Sequence, residues 1–455
     1  EQEAAAIVQA AYPELAVSVS SDVAPEIREY ERTSTALANA YIKPLARDYL
    51  DGIQAGLQKA GVEAPLLLML SNGGLSDLVE AKRAPVALLE SGPAAGALAA
   101  AWFGRDAAGG DVLAFDMGGT TAKLAVVDGG KPEVAYHFEA ARQKRFAEGS
   151  GLPIRTSTIE LIEIGAGGGS IARLDEIGLL KVGPDSAGSD PGPACYGLGG
   201  TDPTVTDANF ALGLLDAESF AGGVMQINMA AAEASLDGLA ESANLSRAEI
   251  AQGIRDVVNE TMASAARVHI AERGKDPRRY ALLATGGGGP LHGADVARKL
   301  GLKRMISPAS AGVASAIGLL IAPARVDRVA TVAKRMDQLD WSEFEQTFAR
   351  MEADARQVIA ATGLNAESAR VERRADVRYV GQAFEIVVDL PPGPYDSHSA
   401  TSLQGAFEKA YLAQFTRTPP AGPVEIINVR IAASADASVA ATNASNAATD
   451  TPKLK

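Results

Sequence analysis

A pair of glycines stands between two β-like runs in the stretch from Val112 to Val127. Apolar residues lead into Asp116, the tetrad Gly118-Gly-Thr-Thr121 follows, and a second, alternating run ends at Asp128-Gly-Gly130. This pattern predicts a strand, a glycine turn, a strand, a hairpin turn and a further strand over residues 134–138. Walker and dinucleotide-binding loops instead lead from a strand into a helix. The glycine turn is therefore expected inside an antiparallel meander.

This turn carries the residue types that hold a phosphate group. Gly118 and Gly119 allow backbone N–H groups to close on an anion. Thr120 and Thr121 supply hydroxyls, and Asp116 supplies a carboxylate placed for a hydrated Mg²⁺. An ordinary hairpin with a capped aspartate gives a similar pattern, so the motif alone leaves both interpretations open.

Other glycine-rich loops also follow predicted strands, at residues 71–74, 165–170 and 286–289. The last of these stands between a strand at 280–284 and a helix that ends at Leu300, an order that supports ligand binding at the helix start. Flexible loops and close backbone packing are the alternative interpretations. Together the loops suggest a cleft lined by backbone amides.

Composition excludes several classes of function. The formal net charge of −14 argues against a nucleic-acid surface or an anionic membrane face. No uninterrupted apolar run reaches the ~18 to 20 residues of a membrane helix. The single cysteine, Cys195, excludes an internal disulfide and indicates a reducing, cytoplasmic compartment.

Cys195 lies in a long irregular section, residues 182–207, which is predicted to be ordered because Cys195 and Tyr196 lie within it. A buried small thiol is the favoured interpretation, and a nucleophile is the alternative. A zinc site is disfavoured because no second cysteine or nearby histidine exists. His269 is expected to be a surface or satisfied histidine, and the pattern assigns no role to His292.

The rest of the chain predicts a helix over residues 26–50 broken at Pro44, a buried strand at 66–70 and a small-residue helix from Ser91. With 455 residues the chain is long enough for two to four domains. The expected divisions are residues 1–110, residues 111–330 with the phosphate and adenosine loops, a small α+β domain at 331–432, and a disordered tail at 433–455.

Several stretches together resemble the hydantoinase/oxoprolinase family, of the hydantoinase A type. They are spread in order over residues 1–432. The matching stretches are Pro25-Glu-Ile-Arg-Glu-Tyr-Glu-Arg-Thr-Ser34, Ser71-Asn-Gly-Gly74, Ser91-Gly-Pro-Ala-Ala-Gly96, Phe115-Asp-Met-Gly-Gly-Thr-Thr-Ala-Lys123, Glu163-Ile-Gly-Ala-Gly-Gly-Gly-Ser170, Ser189-Asp-Pro-Gly-Pro-Ala-Cys-Tyr-Gly197, Gly286-Gly-Gly-Gly-Pro-Leu-His292 and Arg378-Tyr-Val-Gly-Gln382.

The resemblance implies an α/β fold of the actin-like ATPase (sugar kinase/Hsp70/actin) type, with mixed sheets flanked by helices and a small C-terminal α+β domain. It implies an ATP- and Mg²⁺-dependent hydrolase subunit that phosphorylates the carbonyl oxygen of a cyclic amide, of hydantoin, 5-oxoproline or lactam type, for ring opening. The ATP-activating subunit of an acetone or acetophenone carboxylase is the alternative enzyme. A hydantoinase B type subunit is the implied partner in a hetero-oligomer.

The resemblance also assigns candidate residues. Asp116, Thr120 and Lys123 are the candidate catalytic residues, and Asp116 is the candidate Mg²⁺ ligand. The candidate nucleotide-binding residues are Gly118, Gly119, Thr121, Gly286, Gly287, Gly288 and Gly289.

Two departures from the family pattern bear on this assignment. Lys123 stands where many hydantoinases and oxoprolinases carry Asp, which resembles the N-methylhydantoinase and ketone-carboxylase branches. A first lobe with its own phosphate loop is expected before Glu1, so a truncated, non-catalytic, partner-binding subunit is a further alternative.

Overall fold

The structure is a computed structural model, and it describes residues 1–142, 149–417 and 422–436. The α-helices, in chain order, are α1 (Gln2–Ala11), α2 (Ser20–Val23), α3 (Glu29–Lys59), α4 (Leu78–Arg83), α5 (Ser91–Ala108), α6 (Val205–Ala211), α7 (Met229–Ala243), α8 (Arg247–Glu272), α9 (Gly289–Lys299), α10 (Ala314–Ile321), α11 (Trp341–Ala361) and α12 (Ser399–Phe415).

The β-strands are, in chain order, β1 (Leu68–Met69), β2 (Leu75–Ser76), β3 (Val112–Met117), β4 (Ala122–Asp128), β5 (Lys131–Pro132), β6 (Val134–Ala135), β7 (Phe138–Ala140), β8 (Leu152–Ile154), β9 (Thr158–Ile159), β10 (Leu161–Ile164), β11 (Ser170–Leu174), β12 (Leu180–Ser186), β13 (Ala281–Thr285), β14 (Met305–Ile306), β15 (Ala324–Arg335), β16 (Arg370–Tyr379), β17 (Ile386–Asp389) and β18 (Val424–Ala435).

The contacts divide this mixed α/β chain into two compact units. Unit 1 comprises residues 1–94, 134–158 and 319–455, and unit 2 comprises residues 95–133 and 159–318. The chain leaves unit 2 after Glu133 and returns to it at Ile159, and the amide of Glu160 donates a 2.8 Å hydrogen bond to the carbonyl of Glu133. The domain boundaries expected near residues 110, 330 and 432 remain predictions.

Unit 2 is built on a mixed sheet with the strand order β10-β4-β3-β13-β14. The predicted hairpin is confirmed, since β3 and β4 pair antiparallel with Asp116 opposite Lys123. Gly129 and Gly130 have φ values of 55° and 79°, the left-handed conformation that a two-residue turn of this kind requires. β13 then pairs parallel with β3, so the sheet mixes both directions.

The core of unit 2 forms between this sheet and the amphipathic helix α8. Ser246 and Glu249 form a capping box at the start of that helix, which satisfies its first free amides. Its residues Ile250, Ile254 and Met262 recur at helical spacing and are fully buried against Phe115 and other sheet residues.

Unit 1 is organised on a second sheet with the strand order β1-β2-β15-β18-β16-β17. β18 lies between β15 and β16 and pairs antiparallel with both. Helix α11 covers this sheet and buries Phe344, Phe348 and Ile359 in the core of unit 1. Strand β18 extends to Ala435, three residues into the segment 433–455 that was expected to be a disordered tail. Residues 437–455 of that segment lie outside the described residues.

Two local expectations were wrong. Helix α3 continues through Pro44, although proline removes one backbone hydrogen bond. The neighbouring Tyr41 and Leu45 are 86% and 77% exposed, so water can satisfy the carbonyl that proline leaves without a donor. The third strand of the meander is β5, because the tight turn at Gly129 and Gly130 returns the chain to β4 at once. Residues 134–138 do contain strand β6 and the start of β7, but these strands pair with β9 and β8 in separate small sheets.

Over the three described ranges, no helix is both long enough and apolar enough to cross a membrane.

Candidate functional site

Three glycine-rich loops of unit 2 emerge from one edge of its sheet. β3 and β13 run parallel with Asp116 opposite Thr285, so both strands end at that edge. β10 ends there as well, because Ile164 pairs with Ala122 at the start of the antiparallel β4. Loops that follow the carboxyl ends of neighbouring strands form the usual ligand crevice of open α/β sheets.

Hydrogen bonds join the first two loops directly. The amide of Gly168 donates to the carbonyl of Gly118 at 3.1 Å, and the amide of Gly169 donates to the carbonyl of Gly119 at 2.6 Å. A Cβ atom built on Gly167 would lie 2.6 Å from the carbonyl carbon of Thr120. The glycine run 165–169 therefore serves close backbone approach, one of the two roles that its composition indicated.

The third loop is joined to the end of β3 in the same way. The amide of Gly288 donates to the carbonyl of Met117 at 2.9 Å. Gly286 has a φ of 80°, and a Cβ atom there would lie 2.3 Å from Oδ1 of Asp116 and 2.4 Å from the carbonyl oxygen of Met117. Only glycine fits this position, because the backbone conformation and the space both exclude a side chain.

The outer surface of the joined loops is open. A Cβ atom on Gly119 or Gly287 would meet nothing within 4 Å. Within the described part of the chain, the amides of Gly119, Thr120 and Gly287 donate no hydrogen bond. Thr120 is exposed and Thr121 partly exposed. Successive amides without acceptors form a concave anion-binding nest.

Asp116 stands at the centre of this edge with its carboxylate partly buried. No hydrogen bond from a described residue reaches that carboxylate, and a Cβ atom on Gly96 of helix α5 would lie 3.6 Å from its Oδ2. Burial raises the pKa of Asp116, and the nearby charge of Lys123 opposes that rise. A cation at this carboxylate would favour its charged form.

The surroundings of Asp116 fit a Mg²⁺ ion that is shared with phosphate groups better than a metal ion held by protein ligands alone. In the described ranges, no three His, Cys, Asp or Glu side chains gather closely enough to hold a metal ion. Mg²⁺ in nucleotide sites keeps several waters and uses one or two carboxylates together with substrate phosphates. A lone carboxylate beside an open anion nest meets that requirement.

Lys123 lies in a cross-strand row rather than at a loop. It pairs in register with Asp116 on β3 and with Glu163 on β10. Its Nζ lies 3.7 Å from Oε1 of Glu163. The structure therefore places Lys123 beside two carboxylates, and its catalytic role remains a prediction.

The structure brings together the candidate residues of loops 116–121 and 286–289. Among these, Gly289 begins helix α9 and is buried, which makes it a packing residue of the loop. The fourth glycine loop, residues 71–74, belongs to unit 1 and is described below.

A buried polar network lies behind the third loop, and no sequence motif predicts it. Nδ1 of His292 lies 2.7 Å from Oδ1 of Asn259, and its Nε2 lies 3.0 Å from Nδ2 of Asn209. These partners fix a neutral histidine with its proton on Nδ1. Burial lowers the pKa of His292 to about 4, and the charge of Arg255 acts in the same direction.

Arg255 extends this network to the start of helix α9. Its guanidinium donates to Oδ1 of Asn209 at 3.2 Å, to the carbonyl of Leu291 at 2.8 Å and to Oδ2 of Asp295 at 2.7 Å. The network thus holds the first turn of α9 immediately behind the glycine loop. The sequence feature that could have indicated this network is the presence of polar side chains on the otherwise apolar faces of α6 and α8.

Cys195 is buried, as predicted, and its loop is held by Asp207. The carboxylate of Asp207 accepts hydrogen bonds from the amides of Ala194, Cys195 and Thr204 at 2.8 to 3.2 Å. Burial raises the pKa of the Cys195 thiol, which disfavours the thiolate that a nucleophile needs.

Comparisons with known proteins match this chain over most of its length. The sequence model of the Hydantoinase/oxoprolinase family matches residues 32–328. An uncharacterized protein of Methanocaldococcus jannaschii is 38% identical over 434 residues, which are 95% of this chain and 62% of that protein. The caprolactamase subunit alpha of Pseudomonas jessenii is 36% identical over 438 residues, which are 94% of this chain and 61% of that protein.

The gamma subunit of acetophenone carboxylase from Aromatoleum aromaticum is 33% identical over 377 residues, which are 80% of this chain and 50% of that protein. The chain thus spans about half to three fifths of the length of these relatives.

Two solved structures share the fold. The crystal structure of ATP-dependent caprolactamase from Pseudomonas jessenii superposes with a TM-score of 0.79 at 34% identity, covering 96% of this chain and 62% of that one. Nucleotide-free acetone carboxylase gives a TM-score of 0.72 at 22% identity, covering 94% and 61%.

Proposed function

This chain belongs to the hydantoinase/oxoprolinase family, and on that premise we propose that it is the ATP-binding subunit of an enzyme that opens a cyclic amide. The resemblance drawn from the motifs is confirmed at the level of the family. The substrate class is proposed from the similarity to a protein named caprolactamase subunit alpha. We further propose an actin-like ATPase fold for the nucleotide-binding part.

The observation that carries this proposal is the set of free amides around Asp116. The amides of Gly119, Thr120 and Gly287 have no acceptor among the described residues, and all three residues belong to the exposed surface of the loops. Such a surface suits the phosphates of ATP, because several N–H groups can each donate to a phosphate oxygen. Thr120 and Thr121 add hydroxyl donors on the same turn.

Mg²⁺ would bind at Asp116 and would neutralise phosphate charge while the nucleotide is bound. Asp116 would hold the ion through one carboxylate, and Lys123 would limit the negative charge of the row formed with Glu163. Gly286 keeps the space beside Asp116 free of a side chain.

The chemistry proposed for the complete enzyme is activation of an unreactive carbonyl. The amide oxygen attacks the γ-phosphorus, the bond to the β-phosphate oxygen breaks, and ADP leaves. Water adds to the carbon of the O-phosphorylated amide, the C–N bond breaks as the ring nitrogen takes up a proton, and the ring opens to an acyl phosphate. A second water then hydrolyses the acyl phosphate to the free carboxylate and inorganic phosphate. The protein contributes positioning and charge stabilisation, which dominate phosphoryl transfer in other ATP-dependent enzymes.

A second candidate is the ATP-activating subunit of a ketone carboxylase. It is favoured by the 33% identity to an acetophenone carboxylase gamma subunit and by Lys123 in the phosphate-loop motif. Bicarbonate-dependent ATP hydrolysis with acetone or acetophenone would identify this activity, whereas a hydrolase turns over ATP with a cyclic amide alone.

The names of the relatives as alpha and gamma subunits support a hetero-oligomer, and we propose a hydantoinase B type subunit as the partner. Co-expression with that subunit, followed by size-exclusion chromatography, tests the assembly. Two separate peaks at micromolar concentration would contradict it.

Replacing Asp116 by Asn tests the nucleotide site in the complete complex. Substrate-dependent ADP release should fall by about 10²-fold or more, because a group that holds the charge of the transferring phosphoryl is lost. The matched control is Asp185→Asn, an exposed aspartate of unit 2 paired with Arg173. Equal turnover of the two variants would contradict the assignment of Asp116 to the nucleotide site. Calorimetry that shows no binding of Mg-ATP to the wild-type complex would favour a non-catalytic subunit.

A further inference from the structure

A cavity of about 100 Å³ lies within unit 1, and arginine side chains dominate its polar lining. We call it the arginine cavity. The guanidinium groups come from segments far apart in the sequence, so no local motif predicts the cavity. The lining arginines are Arg83, Arg155, Arg325, Arg328 and Arg430.

Fewer carboxylates than guanidiniums line this cavity. Glu80 accepts from Arg83 at 2.7 Å and from Arg328 at 2.9 Å, so one carboxylate serves two arginines. Glu26 is likewise shared, at 3.2 Å from Arg430 and 3.7 Å from Arg155. The third lining carboxylate, Asp327, pairs with Arg325.

Further carboxylates contact three of these arginines without lining the cavity. Asp376 is paired with Arg430 at 2.8 Å, Glu31 lies 3.5 Å from Arg155, and Asp354 contacts Arg328. The lining itself therefore carries five guanidiniums and three carboxylates, and the other three carboxylates do not line the cavity.

Three side chains of the lining have a buried polar atom with no hydrogen-bond partner in the described part of the chain. These atoms are Nη2 of Arg325, Nε of Arg155 and Oγ of Ser76. Buried polar atoms are nearly always paired, because leaving one without a partner costs about 1–3 kcal/mol. All three side chains line the same cavity, so a small movement toward a polar occupant would give each of these atoms a partner.

Arg325 is held in a fixed position by the glycine loop 71–74. Its Nε donates to Asp327 at 3.1 Å, and Asp327 in turn accepts from Nδ2 of Asn72 at 3.1 Å. A Cβ atom on Gly74 would lie 2.3 Å from Cβ of Arg325, so only glycine admits the arginine here. The loop thus positions a guanidinium whose Nη2 is left without a partner.

The size and donors of the cavity fit a small anion. A water molecule occupies about 30 Å³, so the arginine cavity has room for roughly three waters or one carboxylate or phosphate group. Guanidinium N–H groups match the geometry of such oxyanions, and a serine hydroxyl adds another donor.

We propose that the arginine cavity binds a small oxyanion, a carboxylate or a phosphate group, through Arg325, Arg155 and Ser76. The occupant supplies the acceptors that the lining lacks. This site belongs to unit 1 and uses none of the residues assigned to the nucleotide, so it goes beyond the proposed function.

Calorimetric titration of the chain with sodium phosphate and, separately, with sodium acetate tests the proposal, with sodium chloride holding the ionic strength constant. Saturable binding of at least one of the two is expected, and the comparison tells a phosphate ligand from a carboxylate ligand. The absence of saturable binding for both would overturn the proposal.

Two variants assign the binding to this cavity. Arg325→Gln should weaken it by roughly ten- to a hundredfold, the usual effect of losing a charged hydrogen bond. The matched control is Arg378→Gln, which breaks an ion pair of unit 1 with Glu425 outside the cavity and should leave affinity within about twofold of wild type.

Ser76→Ala keeps the test decisive if Arg325→Gln fails to fold. Ser76 is fully buried and its hydroxyl has no partner, so its removal should not destabilise the free chain. It should still weaken oxyanion binding by several-fold. Binding that is unchanged in both variants would belong elsewhere and would overturn the proposal.

Asp116→Asn separates this inference from the proposed function. That variant should retain oxyanion binding and lose Mg-ATP binding. Unchanged oxyanion binding in Arg325→Gln and Ser76→Ala, together with loss of Mg-ATP binding in Asp116→Asn, would contradict the arginine cavity alone. Retained Mg-ATP binding in Asp116→Asn would contradict the nucleotide site alone.

Discussion

The backbone amide of Gly288 donates a 2.9 Å hydrogen bond to the carbonyl oxygen of Met117. This bond joins the end of β3 to the loop before α9, two segments separated by most of unit 2. Asp116 immediately precedes Met117, and Gly286 lies two residues before Gly288. The position of the proposed magnesium ligand is therefore coupled to the conformation of the second loop.

Gly286→Ala should destabilise unit 2, because a methyl group there meets Asp116 and the carbonyl of Met117 at a positive φ. Overpacking of this kind costs about 1–3 kcal/mol, and the backbone conformation adds to it. Urea denaturation followed by intrinsic fluorescence measures the change.

Gly287→Ala is the matched control, since a methyl group there meets nothing within 4 Å. It should leave the urea midpoint near that of the wild type. Equal midpoints for the two variants would mean that the close approach at Gly286 is relaxed in solution.

His292→Ala should lower stability by roughly 2–5 kcal/mol, since it leaves a cavity and removes partners from Asn209 and Asn259. It should also weaken Mg-ATP binding, because the network holds the start of α9 behind the proposed site. Chemical denaturation and calorimetry measure the two effects. His398→Ala, at an exposed histidine, is the control, and equal stability of both variants would count against the network.

Stability should fall between pH 6.5 and about 4 because two buried histidines resist protonation. Burial lowers the pKa of both His269 and His292 to about 4, from an ordinary value of 6.5. The unfolded chain takes up the protons first as the pH falls, so the stabilisation is complete above pH 6.5 and lost towards pH 4. Between pH 7 and pH 5, each histidine should lower the free energy of unfolding by about 2 kcal/mol.

The variant His269→Gln isolates one of these contributions. His269 was expected at the surface or with its hydrogen bonds satisfied, yet it is buried and its Nε2 has no partner in the described residues. The difference in urea midpoint between pH 7 and pH 5 should shrink in this variant and stay unchanged in His398→Gln. An unchanged pH dependence in His269→Gln would show that His269 takes up its proton equally readily in the folded and unfolded states, which would contradict the lowered pKa.

Cys195 should react slowly with thiol reagents in the folded protein and rapidly after denaturation. Its side chain is fully buried, and burial raises the pKa of the thiol. The variant Cys195→Ala should retain the activity of the complex. Loss of that activity with an unchanged melting temperature would restore the nucleophile interpretation.

The local elements of unit 2 were predictable because their signals are local. The hairpin from Val112 to Asp128 and the strand–loop–helix around 281–299 follow from alternation, glycine turns and an apolar stripe. The continuation of α3 through Pro44 was not predictable, because an exposed helix tolerates the lost hydrogen bond through solvation, which the sequence does not display.

The sites were predictable only in part. Asp116 and its glycines carry a short-range pattern, whereas their contacts with Gly168 and Gly288 depend on long-range strand pairing. The arginine cavity has no pattern at all, since its guanidiniums are spread from residue 83 to residue 430. From the sequence, Gly73 and Gly74 predict only a turn. The structure shows that Arg325 lies against Gly74.

The hydrogen bond from Glu160 to Glu133 has a consequence for protein engineering. The two points at which the chain leaves and re-enters unit 2 are neighbours, so residues 134–158 form an excursion from an otherwise contiguous module. A short turn can bridge its ends, which makes residues 95–133 and 159–318 a template for a single-chain minimal module.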